Sequence, residues 1–329
     1  LATAEQLKSL LRSYSAGDDE RFLSIAMQIA AHAARKGQTR LADDIRKLVD
    51  DAKSRRDESA IGRLVPIARP TGDLAGLVTA SYPDTRLSDM VLDSETALRL
   101  DRVLMEYRQS NTIRSYGLNP RRKLLFVGPP GCGKTMSASA LAGELKLPLM
   151  NVQLHGLITK FMGETAVKLS VIFESMAKTR GVYFFDEFDA LGAQRNSQGD
   201  VGEIRRVLNS FLQFLEQDQS DSLIIAATNL IQLLDPALFR RFDDVLHYGT
   251  PAPEMIQKLV ANRLVLFNLS DLDWEGVVSV ATNLSHAEIV RACEDAAKDA
   301  VLRDSEIVTN SELIKALERR KLLIRTEHG

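Results

Sequence analysis

With 329 residues, of which 45% are hydrophobic and 26% charged, the chain can bury ordinary cores and suits two or three globular domains. Its 42 basic and 44 acidic residues leave a formal charge of −2, so there is no whole-chain attraction to nucleic acid or to an anionic membrane. No apolar run approaches the ~20 residues of a membrane span, and the opening LATAEQLKSLL has no secretory layout; the expectation is a cytoplasmic protein without a membrane partner.

Residues 4–56 contain no proline and carry three apolar stripes at helical spacing: Leu7, Leu10 and Leu11; Phe22, Ile25, Ala26 and Ile29; Leu41, Ile45 and Leu48. Breaks at Gly17 and Gly37 divide them into three short helices, which make a small N-terminal domain over residues 1–60. Pro66, Pro70 and Pro83 with Gly62, Gly72 and Gly76 then mark a linker or an irregular strand region over 61–84. From residue 85 to 252 short apolar runs at 123–127, 147–152, 182–185, 223–227 and 245–248 alternate with helical patterns at 164–178 and 201–216. That alternation predicts an α/β domain whose mostly parallel sheet is sandwiched by helices. Beyond Pro253 strand patterns stop, and helices over 255–267, 286–302 and 311–322 predict a small all-α domain filling 253–329.

Between the run at 123–127 and a small-residue helix lies GPPGCGKT, residues 128–135, which fits G-x-x-x-x-G-K-[ST] after a strand and before a helix. Glycines allow successive N–H groups to converge on phosphate oxygens, and the helix N-terminus adds its positive dipole there. Gly128, Pro129, Pro130, Gly131, Cys132, Gly133, Lys134, Thr135 and the following Met136 are therefore the expected nucleotide-binding residues, with Lys134 meeting the β and γ phosphates. The Thr135 hydroxyl suits Mg²⁺, which prefers oxygen ligands beside phosphates. Cys132 and Cys293 show neither disulfide nor zinc spacing. Near a helix N-terminus the Cys132 thiol would be acidified; it reads as a small residue fitting the loop or as a redox switch.

The run VYFF ends in Asp186 and Glu187. A carboxylate at a strand end suits Mg²⁺, which assigns Asp186 with Thr135 to the metal, and Glu187 beside it suits deprotonation of an attacking water. The guanine-reading string N-K-x-D does not occur, so ATP hydrolysis is favoured over GTP hydrolysis.

Together GPPGCGKT, FFDEFDA, ATN ending at Asn229, and LDPALFRRFD resemble the AAA+ ATPases, and among them the classical AAA family, over residues 85–325. The resemblance implies ATP and Mg²⁺ as cofactors, Asn229 positioning the lytic water with Glu187, and a ring, most often a hexamer, with active sites between protomers. It places arginine fingers, which stabilise transition-state charge on a neighbour's γ phosphate, at Arg240 and Arg241. Relatives separate two such arginines by a spacer that is absent here, so either can be the finger, with Arg241 the first choice. Asp89 matches the stretch that holds adenine, and TNLSHAEIVRACEDAA resembles a lid helix in which His286 replaces a glycine. His286 is then a nucleotide contact or an ordinary capping histidine.

Lys160, Phe161, Met162 and Gly163 resemble the loop with which ring subunits grip a polypeptide in a central pore; Phe161 can alternatively be core. On this resemblance the protein remodels, unfolds or threads a protein substrate. A scaffold gated by ATP for a separate partner such as a peptidase remains open, and a nucleic-acid motor is disfavoured by the near-neutral charge. The N-terminal helices are the expected attachment point for a peptidase or adaptor. The string H-E-x-x-H of a built-in metalloprotease does not occur.

Overall fold

The computed structural model describes residues 27, 30, 74, 76–154, 162–188, 201–229 and 236–327. The chain divides into two units, Leu1–Ile67 and Ala68–Gly329. Of the first only Met27 and Ala30 are described, both helical, so the three N-terminal helices expected from the sequence lie outside the described residues.

In the second unit the strands are β1 Val78–Ser81, β2 Lys123–Val127, β3 Leu149–Val152, β4 Val182–Phe185, β5 Leu223–Thr228 and β6 Asp244–His247. They form one sheet in the order β1-β3-β4-β5-β2-β6, with β2 to β6 parallel and β1 antiparallel at the edge. β1 falls in the stretch 61–84, read from the sequence as a linker or an irregular strand region, and joins its last residues to the sheet. Four residues between Gly76 and Pro83 give no periodic signal, and their pairing partner is β3, some seventy positions further along.

Strands buried on both faces must be apolar throughout, and alternate side chains divide between two cores. On one face Leu125, Val127, Tyr183, Phe185, Ile224 and Ala226 pack with helices α4 Met162–Lys178 and α5 Val201–Gln217. Phe211 of α5 anchors this side, 5.0 Å from the Phe185 ring and 4.8 Å from that of Phe188. On the other face Leu124, Phe126, Phe184, Ile225 and Ala227 meet α1 Ser94–Arg108 and α3 Lys134–Leu145. Two short helices follow, α2 Ser110–Ser115 after α1 and α6 Pro236–Phe239, whose Leu238 and Phe239 join the core of the α4 and α5 face.

The remaining helices, α7 Pro253–Arg263, α8 Trp274–Ala281, α9 His286–Leu302 and α10 Asn310–Glu327, enclose a separate core around Val260, Val277, Ile289, Ala296 and Leu317. Proline at the first position of α7 and side-chain caps from Asp273 on α8 and Ser285 on α9 fix where these helices begin.

Candidate active site

Three adjacent strands deliver the site. β4, β5 and β2 are parallel neighbours, with Phe185 level with Ala226 and Thr228 level with Val127. The residues just past their C-terminal ends, Asp186, Asn229 and Gly128, therefore emerge along one edge of the sheet, where ligands of open α/β sheets bind.

The loop after β2 requires its glycines. Gly128, Gly131 and Gly133 have φ of 154°, 73° and 99°. A Cβ on Gly128 would lie 2.1 Å from the Tyr248 carbonyl oxygen, and one on Gly131 would lie 2.7 Å from Ser285 Oγ. The turn brings Lys134 to the start of α3, where its buried ammonium donates to Gly128 O at 2.6 Å, Pro129 O at 2.9 Å and Asn229 Oδ1 at 2.8 Å. Desolvating an ammonium is costly unless its hydrogen bonds are satisfied, and these three acceptors hold the charge against the loop. Beside it Thr135 Oγ1 donates to Asp186 Oδ2 at 3.0 Å, and Asp186 Oδ1 accepts the Glu187 N–H at 2.9 Å. Glu187 is exposed and has φ of 51°, a left-handed conformation that costs an L-residue about 1–2 kcal/mol. Strain of this kind at a carboxylate beside a phosphate loop marks a position kept for chemistry.

These groups share a cavity of about 630 Å³. Pro130, Gly131, Cys132, Gly133, Lys134, Thr135 and Met136 form one wall, with Asp186, Glu187 and Asn229 beside them. Asp89, in the turn before α1, lines it as well, and its Oδ2 accepts the Arg86 N–H at 2.8 Å. His286, Ala287 and Val290 of α9 bring the helical domain to the same cavity, and the Ala287 N–H donates to Gly131 O at 3.0 Å. Met90, Val91 and Leu92, in the stretch expected to hold adenine, are walls as well, and sequence reasoning missed the α7 residues Leu259, Asn262 and Arg263. Their spacing is that of ordinary core or surface, and only the approach of α7 to the loop gives them a place in the site.

Several expectations change. The Cys132 thiol is not acidified: it is 1% exposed, and burial pushes its pKa up, against the weaker opposing pull of Lys134. Met162 and Gly163 do not precede the helix but form its first turn, where N–H groups lack intrahelical acceptors in any case and glycine is tolerated. Lys160 and Phe161 lie outside the described residues. Arg240 and Arg241 follow α6 and are not walls of the cavity. Arg241 is tied by its Nε to Glu216 Oε1 of α5 at 3.2 Å, whereas Arg240 is exposed.

The family described as "ATPase family associated with various cellular activities (AAA)" matches residues 124–250, the span that holds the loop, Asp186, Glu187, Asn229 and both arginines. An uncharacterized AAA family ATPase of Sinorhizobium fredii is 37% identical over 318 residues, covering 97% of this chain and 95% of that protein. This chain belongs to the AAA family of ATPases. A proteasome-activating nucleotidase of Aeropyrum pernix is 31% identical over 236 residues, 69% of this chain, and the chain covers 58% of that relative's length. The crystal structure of the FIGL-1 AAA domain superposes with a TM-score of 0.61 over 77% of this chain and 90% of that one, at 22% identity, a likeness of fold.

As an AAA ATPase the chain binds a nucleotide and hydrolyses ATP. Lys134 and the N–H groups of residues 131–135 suit the phosphates, and the Thr135–Asp186 oxygen pair has the hard-donor character that Mg²⁺ takes. Among the described residues no helix is long and apolar enough to cross a membrane.

Proposed function

We propose that this ATPase assembles as a ring, most simply a hexamer, and uses ATP with Mg²⁺ to unfold or thread a protein substrate. Mg²⁺ held by Thr135 and Asp186 would neutralise charge on the phosphates. Glu187 takes the proton of the attacking water while Asn229 orients that water, and the bond between the γ phosphorus and the bridging oxygen breaks to leave ADP and phosphate. The observation that carries the shared-site reading is the position of the arginines outside the walls that hold Lys134, Thr135, Asp186, Glu187 and Asn229. A neighbour's arginine then completes the site. With Arg241 engaged by Glu216, Arg240 replaces it as the first choice for the finger, and Arg241 holds the turn. The likeness to a proteasome-activating nucleotidase supports a protein substrate and a separate peptidase partner. Lys160 and Phe161, with Met162 and Gly163 in the helical turn that follows, are assigned to the pore, and residues 1–60 to adaptor or substrate recruitment.

The shared site is tested by mixing protomers. Glu187→Gln and Arg240→Ala protein are each nearly inactive alone, and on mixing some interfaces regain an intact Glu187 and a neighbour's intact Arg240, so ATPase activity returns. A mixture no more active than its components would refute a finger supplied between subunits. Running the wild-type ATPase with an added unfolded protein and, separately, with single-stranded DNA tests the substrate class. Stimulation by the polypeptide alone is expected; stimulation by DNA alone, or by neither, would point to the nucleic-acid motor or the scaffold.

A further inference from the structure

The two arginines after α6 stand in a turn that is held from both sides. Leu238 before them and Phe242 after them are buried in the core shared with α4 and α5, and the Arg241 N–H closes the turn on Leu238 O at 3.0 Å. Arg240 is exposed between these anchors, and Arg241 meets Glu216 Oε1 at 3.2 Å. What fixes the turn to the sheet is Asp243. Its Oδ2 accepts the N–H groups of Arg122 at 2.8 Å and of Lys123 at 2.9 Å, and its own N–H donates to Lys123 O at 2.8 Å. The parallel ladder between β2 and β6 starts one position later, with Leu124 level with Asp244. Asp243 thus extends that ladder with its side chain. A carboxylate accepting two backbone N–H groups makes stronger bonds than a neutral acceptor, so the register of β6 on β2 is secured just after the arginines.

This anchorage lies at the far end of β2 from the chain's own phosphate loop. Lys123 opens the five-residue strand and Gly128 follows it, which separates the two by about 16 Å at about 3.3 Å per residue. An arginine held near that end is placed to serve a neighbouring protomer's phosphates, as the shared-site reading requires. The short turn gives the anchor its leverage. With no spacer between the arginines, Arg240 stands only three positions before Asp243, so a shift of the clamp reaches Arg240 with little slack. Misplacing a group by about 1 Å can cost about a hundredfold in rate. We propose that Asp243 is a positioning residue: by clamping the turn onto the first residues of β2 it sets where Arg240 meets the γ phosphate held by the neighbouring protomer. This rests on the reading of Arg240 as the finger given above.

The experiment compares wild type, Asp243→Ala and Asp243→Asn for ATP affinity and turnover, alone and in mixtures. Asp243→Ala should bind ATP as the wild type does while turnover falls by about tenfold to a hundredfold. Asp243→Asn keeps an acceptor for the two N–H groups and should retain most of the turnover. Mixed with Glu187→Gln protein, Asp243→Ala should regain activity, because some interfaces then join its intact Glu187 to a neighbour's intact finger turn. Mixed with Arg240→Ala it should not, because both components lack a working finger. The proposal is overturned if Asp243→Ala turns over ATP like the wild type, if its ATP affinity falls in parallel with turnover, or if Glu187→Gln fails to complement it. It is equally overturned if Asp243→Asn is as inactive as Asp243→Ala. Should the alanine variant fail to fold, Asp243→Glu keeps the charge and moves the carboxylate out by one methylene; lowered turnover restored by Glu187→Gln is then expected, and wild-type turnover overturns the proposal. If Glu187→Gln and Arg240→Ala do not complement each other, the finger reading itself falls, and the role of Asp243 with it.

Discussion

At the phosphate end of the cavity Lys134, Thr135, Asp186 and Asn229 are joined to one another or to backbone carbonyls at 2.6 to 3.0 Å, whereas at the other end the buried His286 ring has the Val91 backbone and the Asp93 carboxylate near it but no well-formed hydrogen bond. The first group stands on strand ends whose spacing is set by a parallel ladder; the second stands on a helix joined to the loop by the Ala287 N–H bond to Gly131 O. The two ends thus belong to different cores: the chemistry is fixed by the sheet, while α9 is buried in the core of the helical domain and meets the loop through a narrow junction.

The largest effect should come from the rigid end. Glu187→Gln keeps the size of the side chain and the Glu187 N–H bond to Asp186 but removes the base, so hydrolysis should fall by about 10²–10⁴-fold while ATP binding stays near that of the wild type. Single-turnover hydrolysis alongside a fluorescent-nucleotide titration checks both halves. Retained turnover would remove Glu187 from the mechanism.

A smaller effect distinguishes backbone close packing from polar contacts. Gly128→Ala would drive a Cβ to 2.1 Å from the Tyr248 carbonyl, and backbone cannot move aside as a flexible side chain can. The loop should be displaced, with a stability loss of about 2–4 kcal/mol and a lower Tm. Gly249→Ala, one residue beyond that carbonyl, meets nothing within 4 Å and serves as the control with no effect. Equal melting of the two variants would show that the fit of Gly128 against β6's exit is not what shapes the loop.

The rigid end is also the legible one. Gly128 to Thr135 and the pair Asp186–Glu187 announce themselves because a strand, a turn and a helix start follow in one continuous stretch, and each local pattern agrees with the sheet that forms. β2, β4, α9 and the start of α5 fall where apolar runs and helical spacing predict them. What stayed hidden depends on partners distant in sequence. β1 exists because β3 lies beside it, and the carboxylate that Arg241 meets, Glu216, stands on another helix. Cys132 shows the same limit in electrostatics: a helix N-terminus acidifies a thiol only while water reaches it, and here burial outweighs the dipole and Lys134. α1 was overlooked although Leu100, Val103, Leu104 and Tyr107 carry helical spacing behind the Asp93 cap.

The smallest effect lies behind the loop, at Tyr248, whose main chain shapes Gly128 and whose ring sits 5.3 Å from that of Phe126. Its hydroxyl is buried with the Ser137 side chain as its polar neighbour but at no well-formed hydrogen-bond geometry, and desolvation raises its pKa, so it stays protonated throughout the ordinary pH range. Tyr248 lines the smaller cavity of about 460 Å³ but not the nucleotide cavity, and its ring is 5% exposed in an apolar core shared with Leu246 and Leu141. Tyr248→Phe removes a poorly bonded hydroxyl and keeps the ring packing. Stability should then be unchanged or rise by up to about 1 kcal/mol, with ATP affinity untouched. Urea unfolding and an ATP titration on the variant check this. A loss of more than about 1 kcal/mol would mean that the hydroxyl is bonded to Ser137 in solution, and weaker ATP binding would mean that the packing behind the loop reaches the nucleotide site.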